Sequence, residues 1–174
     1  TGYGNTYFVE RMLGTRKQSF DGKKVIVSGA GNVAIYTIEK VQELGGRVIA
    51  CSDSNGYVVD EKGIDLTLLK EIKERRRGRV ADYAKARGKD AIYIESGRVW
   101  EVPADVAMPS ATQNELNADD ARKLNKNGVI AVGEGANMPS TPDAVRVFSE
   151  AKILFAPGKA ANAGGVATSA LEMQ

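Results

Sequence analysis

The 174-residue chain has no histidine and a single cysteine. The first absence removes Ser-His-Asp and Cys-His nucleophile pairs, imidazole general bases and His-ligated metals. The second rules out an internal disulfide and leaves too few thiolates for a structural zinc site. Charge of one sign is also lacking: 24 Lys+Arg face 22 Asp+Glu, a formal net charge of +2. A nucleic-acid-binding domain carries a strong basic excess on one face, so that class of partner is not expected. No run of AVILMFWYC residues exceeds four. That is too short for a membrane span or the core of a secretory signal. A reducing, cytoplasmic setting is the expectation.

What is abundant is glycine, 19 of 174 residues, against an average near ~7%. The length suits one domain, and a chain of this size buries roughly 70% of its unfolded surface. The chain opens on Thr1 rather than Met. It is therefore expected to be a piece of a longer protein or a processed product.

Lys24 to Ser28 is a short β-branched run bounded by Gly22 and Gly29, and reads as a buried strand. From Asn32 to Leu44, Ala34, Ile38 and Val41 recur at helical spacing, and Gly45-Gly46 stops the helix. Arg47 to Cys51 is a second strand, which completes a βαβ unit with parallel strands. Leu66 to Arg77 and Val80 to Arg87 read as helices, and Ile92-Tyr93-Ile94 with Arg98-Val99-Trp100 as a small hairpin. Alternation then resumes: strand Ala104–Met108, helix Ala118–Leu124, strand Val129–Val132, a helix capped by Thr141, and strand Ile153–Ala156. A closing helix is expected from about Gly164. The fold class is a single α/β domain, doubly wound and Rossmann-like, with a mostly parallel sheet in three α/β/α layers.

Ligands of such sheets bind at the carboxyl ends of the strands. All five expected parallel strands end there in Gly, Pro and small polar residues, so the surplus glycine collects on one rim. Gly29-Ala30-Gly31-Asn32-Val33-Ala34 is G-x-G-x-x-A between a strand and a helix. The first Gly makes the tight turn, the second admits a pyrophosphate to main-chain N–H groups, and the small third residue allows close helix–strand contact. A plain tight turn, or a site for another nucleotide such as S-adenosylmethionine, is the competing reading. Asp53 lies nineteen residues after Ala34, where an acid accepts hydrogen bonds from the adenosine ribose. Ser-Asp-Ser-Asn-Gly is equally turn chemistry.

Lys70, Lys73, Arg75, Arg76, Arg77 and Arg79 outnumber Glu71 and Glu74. This run is either a solvated helix face or a wall that holds the 2′-phosphate of NADP. Thr112, Gln113, Asn114 and Asn137 suit a nicotinamide carboxamide or ribose hydroxyls, or else cap their own loops. Cys51 and Trp100 read as packing. Hydride chemistry on an amino acid needs a proton-transfer group and a carboxylate anchor. Lys159 is the only rim lysine in a suitable loop, so a complete catalytic centre is not visible, nor is a metal site.

Six blocks, taken together, resemble the hexameric glutamate dehydrogenases, most closely the bacterial NADP-linked branch. They are Thr1-Gly2-Tyr3-Gly4, Ser28 to Ala34, Gly78 to Tyr83, Pro109 to Leu116, Glu134 to Pro139 and Pro157 to Ser169. The blocks follow the family order and cover essentially the whole chain. The resemblance implies oxidative deamination of L-glutamate to 2-oxoglutarate and ammonia. It implies that residues 1–174 are only the dinucleotide-binding domain, with the substrate domain and the catalytic lysines and aspartate elsewhere in a homohexameric parent. It places Thr1 at the nicotinamide amide, and Gly31 with Asn32 at the pyrophosphate. Asn114 and Asn137 fall by the nicotinamide and its ribose, and Asp53, Ser54 and Lys73 near the adenosine ribose. Gly29, Val33, Ala111 and Thr112 complete the coenzyme set. Ser169 and Val166 fall on the substrate side. The branch implies NADP, with NAD as the alternative. A Leu, Phe or Val dehydrogenase and a non-catalytic nucleotide-binding regulatory module are the competing readings.

Overall fold

The computed structural model describes residues 2–75, 77–136 and 138–158, with side chains from Thr6 onward. The expected closing helix lies outside these residues. The chain opens with α1 (Gly2–Gly14), β1 (Lys24–Val27), α2 (Asn32–Glu43), β2 (Arg47–Ser52) and β3 (Gly56–Val59). It continues through α3 (Leu66–Lys70), α4 (Val80–Arg87), β4 (Ile92–Glu95) and β5 (Val106–Met108). Then follow α5 (Ala118–Lys126), β6 (Ala131–Gly133), α6 (Pro142–Glu150) and β7 (Leu154–Ala156). The seven strands form one sheet in the order β4-β3-β2-β1-β5-β6-β7. β2, β1, β5, β6 and β7 are mutually parallel, and β3 is antiparallel to both of its neighbours.

The central strands are apolar on both faces because helices cover both. Val25, Val27, Val106 and Met108 point into one core with α1 to α4. Ile26, Ala107 and Val132 point into the other, with α5, α6 and Trp100. The three expected layers follow from that alternation. Helix α2 buries Ala34, Ile35, Ile38 and Val41, the stripe legible in the sequence. It ends in a Schellman motif: Gly46 N–H donates to Val41 O and Gly45 N–H to Gln42 O. Gly45 has φ +91, and a Cβ there would lie 2.7 Å from Asp21 Oδ1. Helix α6 starts as expected, with Pro142 after Thr141, whose hydroxyl accepts from Ala144 N–H at 3.2 Å.

Two expectations fail, and two elements, β3 and α1, are not foreseen in the sequence. The hairpin over residues 92–100 does not form. Ile92–Glu95 pairs instead with β3, a strand absent from the sequence reading. Val99–Glu101 is a 3₁₀ turn that buries Val99 and Trp100 in the second core. Burying that indole against the sheet outweighs a short local pairing. The helix expected over 66–77 stays α-helical only to Lys70 and widens into a π turn over Glu71–Arg75. There Gly78 N–H closes back onto Ile72 O at 2.7 Å. Helix α1, with Val9, Met12 and Leu13 buried at helical spacing, was not anticipated either.

Candidate functional site

The rim at the carboxyl ends of the parallel strands is organised around β1, whose neighbours are β2 and β5. The loop after β1 is fastened to both. Gly29 N–H donates to Ser52 Oγ at 3.0 Å, and Ser110 N–H donates to Ser28 Oγ at 2.8 Å. Gly29 has φ +87, and a Cβ on it would lie 3.1 Å from Ala111 Cβ and 3.2 Å from Ser110 O. Gly29 is therefore required by both its backbone angle and the close approach of the two loops.

Gly31 differs. A Cβ there would meet nothing within 4 Å, so the chain beside it borders open space. It precedes α2, whose N-terminus has no side-chain cap; the first intrahelical bond runs from Ile35 N–H to Gly31 O. The N–H groups of Asn32, Val33 and Ala34 thus have no acceptor within the helix. With the helix dipole they form a donor site for an anion, worth ~0.3–1 kcal/mol from the dipole alone.

A cavity of about 400 Å³ opens at the end of β2. It brings together four of the expected residues, Asp53, Ser54, Ala111 and Thr112. Residues 96–100 and Glu115, which the sequence reading did not place at the site, form its other walls. The topology explains them. β3 and β4 reverse direction twice after β2, so β4 runs parallel to β2 and ends on the same rim. Ser96 N–H donates to Asn55 O at 2.7 Å and seals that corner.

Asp53 is committed to its own surroundings. Oδ1 accepts from Asn55 N–H at 2.9 Å and Gly56 N–H at 3.2 Å, while Oδ2 accepts from Val80 N–H at 3.0 Å, at the start of α4. Its turn-forming role is thus realised, with the carboxylate still on the cavity wall. Ser54 Oγ lies 3.4 Å from Arg79 Nη1, so that guanidinium reaches the cavity mouth. Lys73 is half-buried and outside the cavity wall. Lys70 leaves the basic run to face Glu39 at 3.5 Å. Burial pushes the Cys51 thiol up to about 12, with the Asp53 charge adding to the rise and Lys73 opposing it. That thiol is inert packing.

On the other side of β1 the loops hold one another. Ala111 and Thr112 N–H both donate to Glu115 Oε2, at 3.0 and 2.9 Å. Burial raises the pKa of Glu115, against the pull of those N–H groups, the Ser28 hydroxyl and Arg98. Asn114, at φ +58, donates its N–H to Met138 O at 3.0 Å, and Leu116 N–H donates to Pro139 O at 3.0 Å. The loop after β5 is therefore zipped onto the loop after β6. Thr1, Asn137, Lys159, Val166 and Ser169 lie outside the described residues. Among the described residues no group of three or more His, Cys, Asp or Glu could hold a metal ion. No helix there is long and apolar enough to cross a membrane.

A doubly wound sheet with a Gly-rich β1–α2 turn at its switch point defines a Rossmann-type α/β domain. The chain belongs to the Glutamate/Leucine/Phenylalanine/Valine dehydrogenase family, whose model it matches over residues 1–174. It is 60% identical over 176 residues to the glutamate dehydrogenase of Bacteroides thetaiotaomicron, a match covering 99% of this chain and 39% of that protein. It is 58% identical over 176 residues to the NADP-specific glutamate dehydrogenase of Escherichia coli K12, again over 99% of this chain and 39% of that protein. The crystal structure of Plasmodium falciparum glutamate dehydrogenase superposes with a TM-score of 0.88 at 45% identity, over 99% of this chain and 37% of that one. The chain thus spans about two fifths of the length of the curated relatives it matches.

Proposed function

We propose that this chain is the dinucleotide-binding part of a glutamate dehydrogenase. The parent would interconvert L-glutamate and 2-oxoglutarate plus ammonia with NADP, NAD being the alternative coenzyme. The observation that carries this reading is the uncapped N-terminus of α2 beside the open space at Gly31. Main-chain donors without internal partners, on a helix dipole, suit a pyrophosphate. When bound, NADP supplies the hydride acceptor at its nicotinamide ring. The choice of glutamate over leucine, phenylalanine or valine is supported by relatives 58–60% identical that carry the glutamate name.

In this reading Gly29, Gly31, Asn32 and Val33 frame the pyrophosphate. The cavity at Asp53 and Ser54 takes the adenosine, and its size falls within the ~300–1,000 Å³ of small-molecule pockets. Three N–H donors offset the Asp53 charge and let a second anion approach. Ser54 and Arg79 then hold the 2′-phosphate, with Lys73 acting as a charge at longer range. Ala111 and Thr112, on the wall of that cavity, lie between the adenosine and the nicotinamide half, to which Asn114, Asn137 and Thr1 belong; Val166 and Ser169 belong to the substrate side. No residue of the chain is assigned to catalysis; proton transfer falls to the rest of a cytoplasmic, homohexameric parent.

Calorimetric titration of the chain with NADPH and NADH tests the reading. NADPH is expected to bind ~10- to 100-fold more tightly, the worth of one charge-assisted contact of ~1.5–3 kcal/mol. Equal affinities would overturn the NADP assignment, and no binding of either would overturn the coenzyme reading. Glutamate turnover by the chain alone would refute the placement of the catalytic groups elsewhere.

A further inference from the structure

Glu134 follows β6 and is only 5% exposed. A buried carboxylate is costly unless its oxygens are satisfied. Here each oxygen accepts a main-chain N–H from a different segment. Oε2 accepts from Ser140, at the far end of the β6 loop, and Oε1 from Gly158, after β7, both at 3.0 Å. The base of the same loop is fastened to the β5 loop, where Gly135 and Ala136 N–H donate to Pro109 O at 2.8 and 3.2 Å. A Cβ on Gly158 would lie 2.5 Å from Ala136 O, so the β6 and β7 loops touch with no room for a side chain between them.

We infer that Glu134 is the positioning residue of the β5–β7 half of the crevice, fixing the β6 and β7 loops in one arrangement for the nicotinamide end of a dinucleotide. The inference rests on the coenzyme reading above. The chemistry demands a carboxylate. Two N–H donors arrive at two different oxygens, and an amide offers one oxygen and one NH₂ group. Glutamine would therefore keep one tether and set a donor against a donor at the other. None of these bonds involves a residue that lines the adenosine cavity.

The test compares the chain with Glu134→Gln, using NADPH and 2′,5′-ADP as the two probes. NADPH affinity is expected to fall roughly tenfold or more, the loss of a charge-assisted hydrogen bond, while 2′,5′-ADP affinity stays unchanged. An equal fall for both probes, or no fall for NADPH, overturns the inference. If the unsubstituted chain binds 2′,5′-ADP but not NADPH, the inference also fails. If it binds neither, the coenzyme reading itself has failed. Amide exchange on the unsubstituted chain supplies a measurement free of any folding defect. Ser140 and Gly158 amides should gain protection with NADPH and not with 2′,5′-ADP; equal protection by both counts against Glu134.

Discussion

The two sides of β1 are built differently. Toward β2 and β4 the rim opens into a cavity, walled there by Asp53, Ser54 and residues 96–100 and closed by the β5 loop at Ala111, Thr112 and Glu115. Toward β5, β6 and β7 it is a set of loops joined to one another through main-chain hydrogen bonds and two glutamate side chains. Side chains discriminate by their chemistry and can be exchanged one at a time. A network of main-chain bonds fixes geometry and fails as a unit. In the coenzyme reading proposed above, the first side would set which nucleotide is held, and the second how its far end is oriented.

The largest expected effect comes from breaking the seam between the sides. Gly29 occupies it, at φ +87 and within 3.3 Å of three Ser110 and Ala111 atoms at its Cβ direction. Gly29→Val is expected to lower stability by about 2–5 kcal/mol, combining a left-handed backbone with overpacking. Urea unfolding would read the loss, and NADPH binding should go with it. A stable variant that still binds NADPH would mean that the two loops move independently.

A smaller effect is expected from the side-chain half alone. Arg79 is exposed and its guanidinium meets Ser54 at the cavity mouth. Arg79→Ala is expected to weaken NADPH about tenfold and to leave NADH unchanged, as loss of a phosphate contact predicts. Paired titrations would show it. A parallel loss for both coenzymes would place Arg79 in the scaffold, where its N–H and the Asp82 carboxylate already meet at 2.8 Å.

The contrast also separates what could be read from sequence. The β-branched runs at Val25–Val27 and Val48–Ile49 declare buried strands because both sheet faces are covered, and the α2 stripe is equally local. The Gly-rich rim was legible because glycine marks close main-chain approach. Pairing was not. Nothing local says that Ile92–Glu95 joins Gly56–Val59 rather than residues 98–100; burial of Val99 and Trp100 decides it. The same decision brings residues 96–100 to the cavity, so one wall of the site depends on strand pairing that no local pattern specifies. Asp53 was legible as a rim acid, yet its commitment to Val80, 27 residues onward, is a tertiary fact. The two glutamates carried no pattern of their own, since which donors reach which oxygen depends on loops converging in space.

Of the two glutamates, Glu115 furnishes the smallest effect. Glu115 receives both of its N–H donors on a single oxygen, whereas Glu134 receives one on each. Glutamine at 115 can place its carbonyl oxygen where Oε2 stands, and the Ser28 hydroxyl can rotate to accept from the new NH₂. Glu115→Gln should therefore change stability at neutral pH by under ~1 kcal/mol and leave NADPH affinity intact. Its signature lies in pH dependence. Burial raises the folded-state pKa of Glu115 above its usual 4.5, so the folded chain holds this proton more tightly than the unfolded chain. The resulting stabilisation is complete below 4.5 and is lost as pH rises through the raised value. Urea unfolding at stepped pH should show that loss in the unsubstituted chain and a flatter profile just above 4.5 in Glu115→Gln. If Glu115→Gln instead weakens NADPH as much as Glu134→Gln, the count of donors per oxygen is not what distinguishes the two positions.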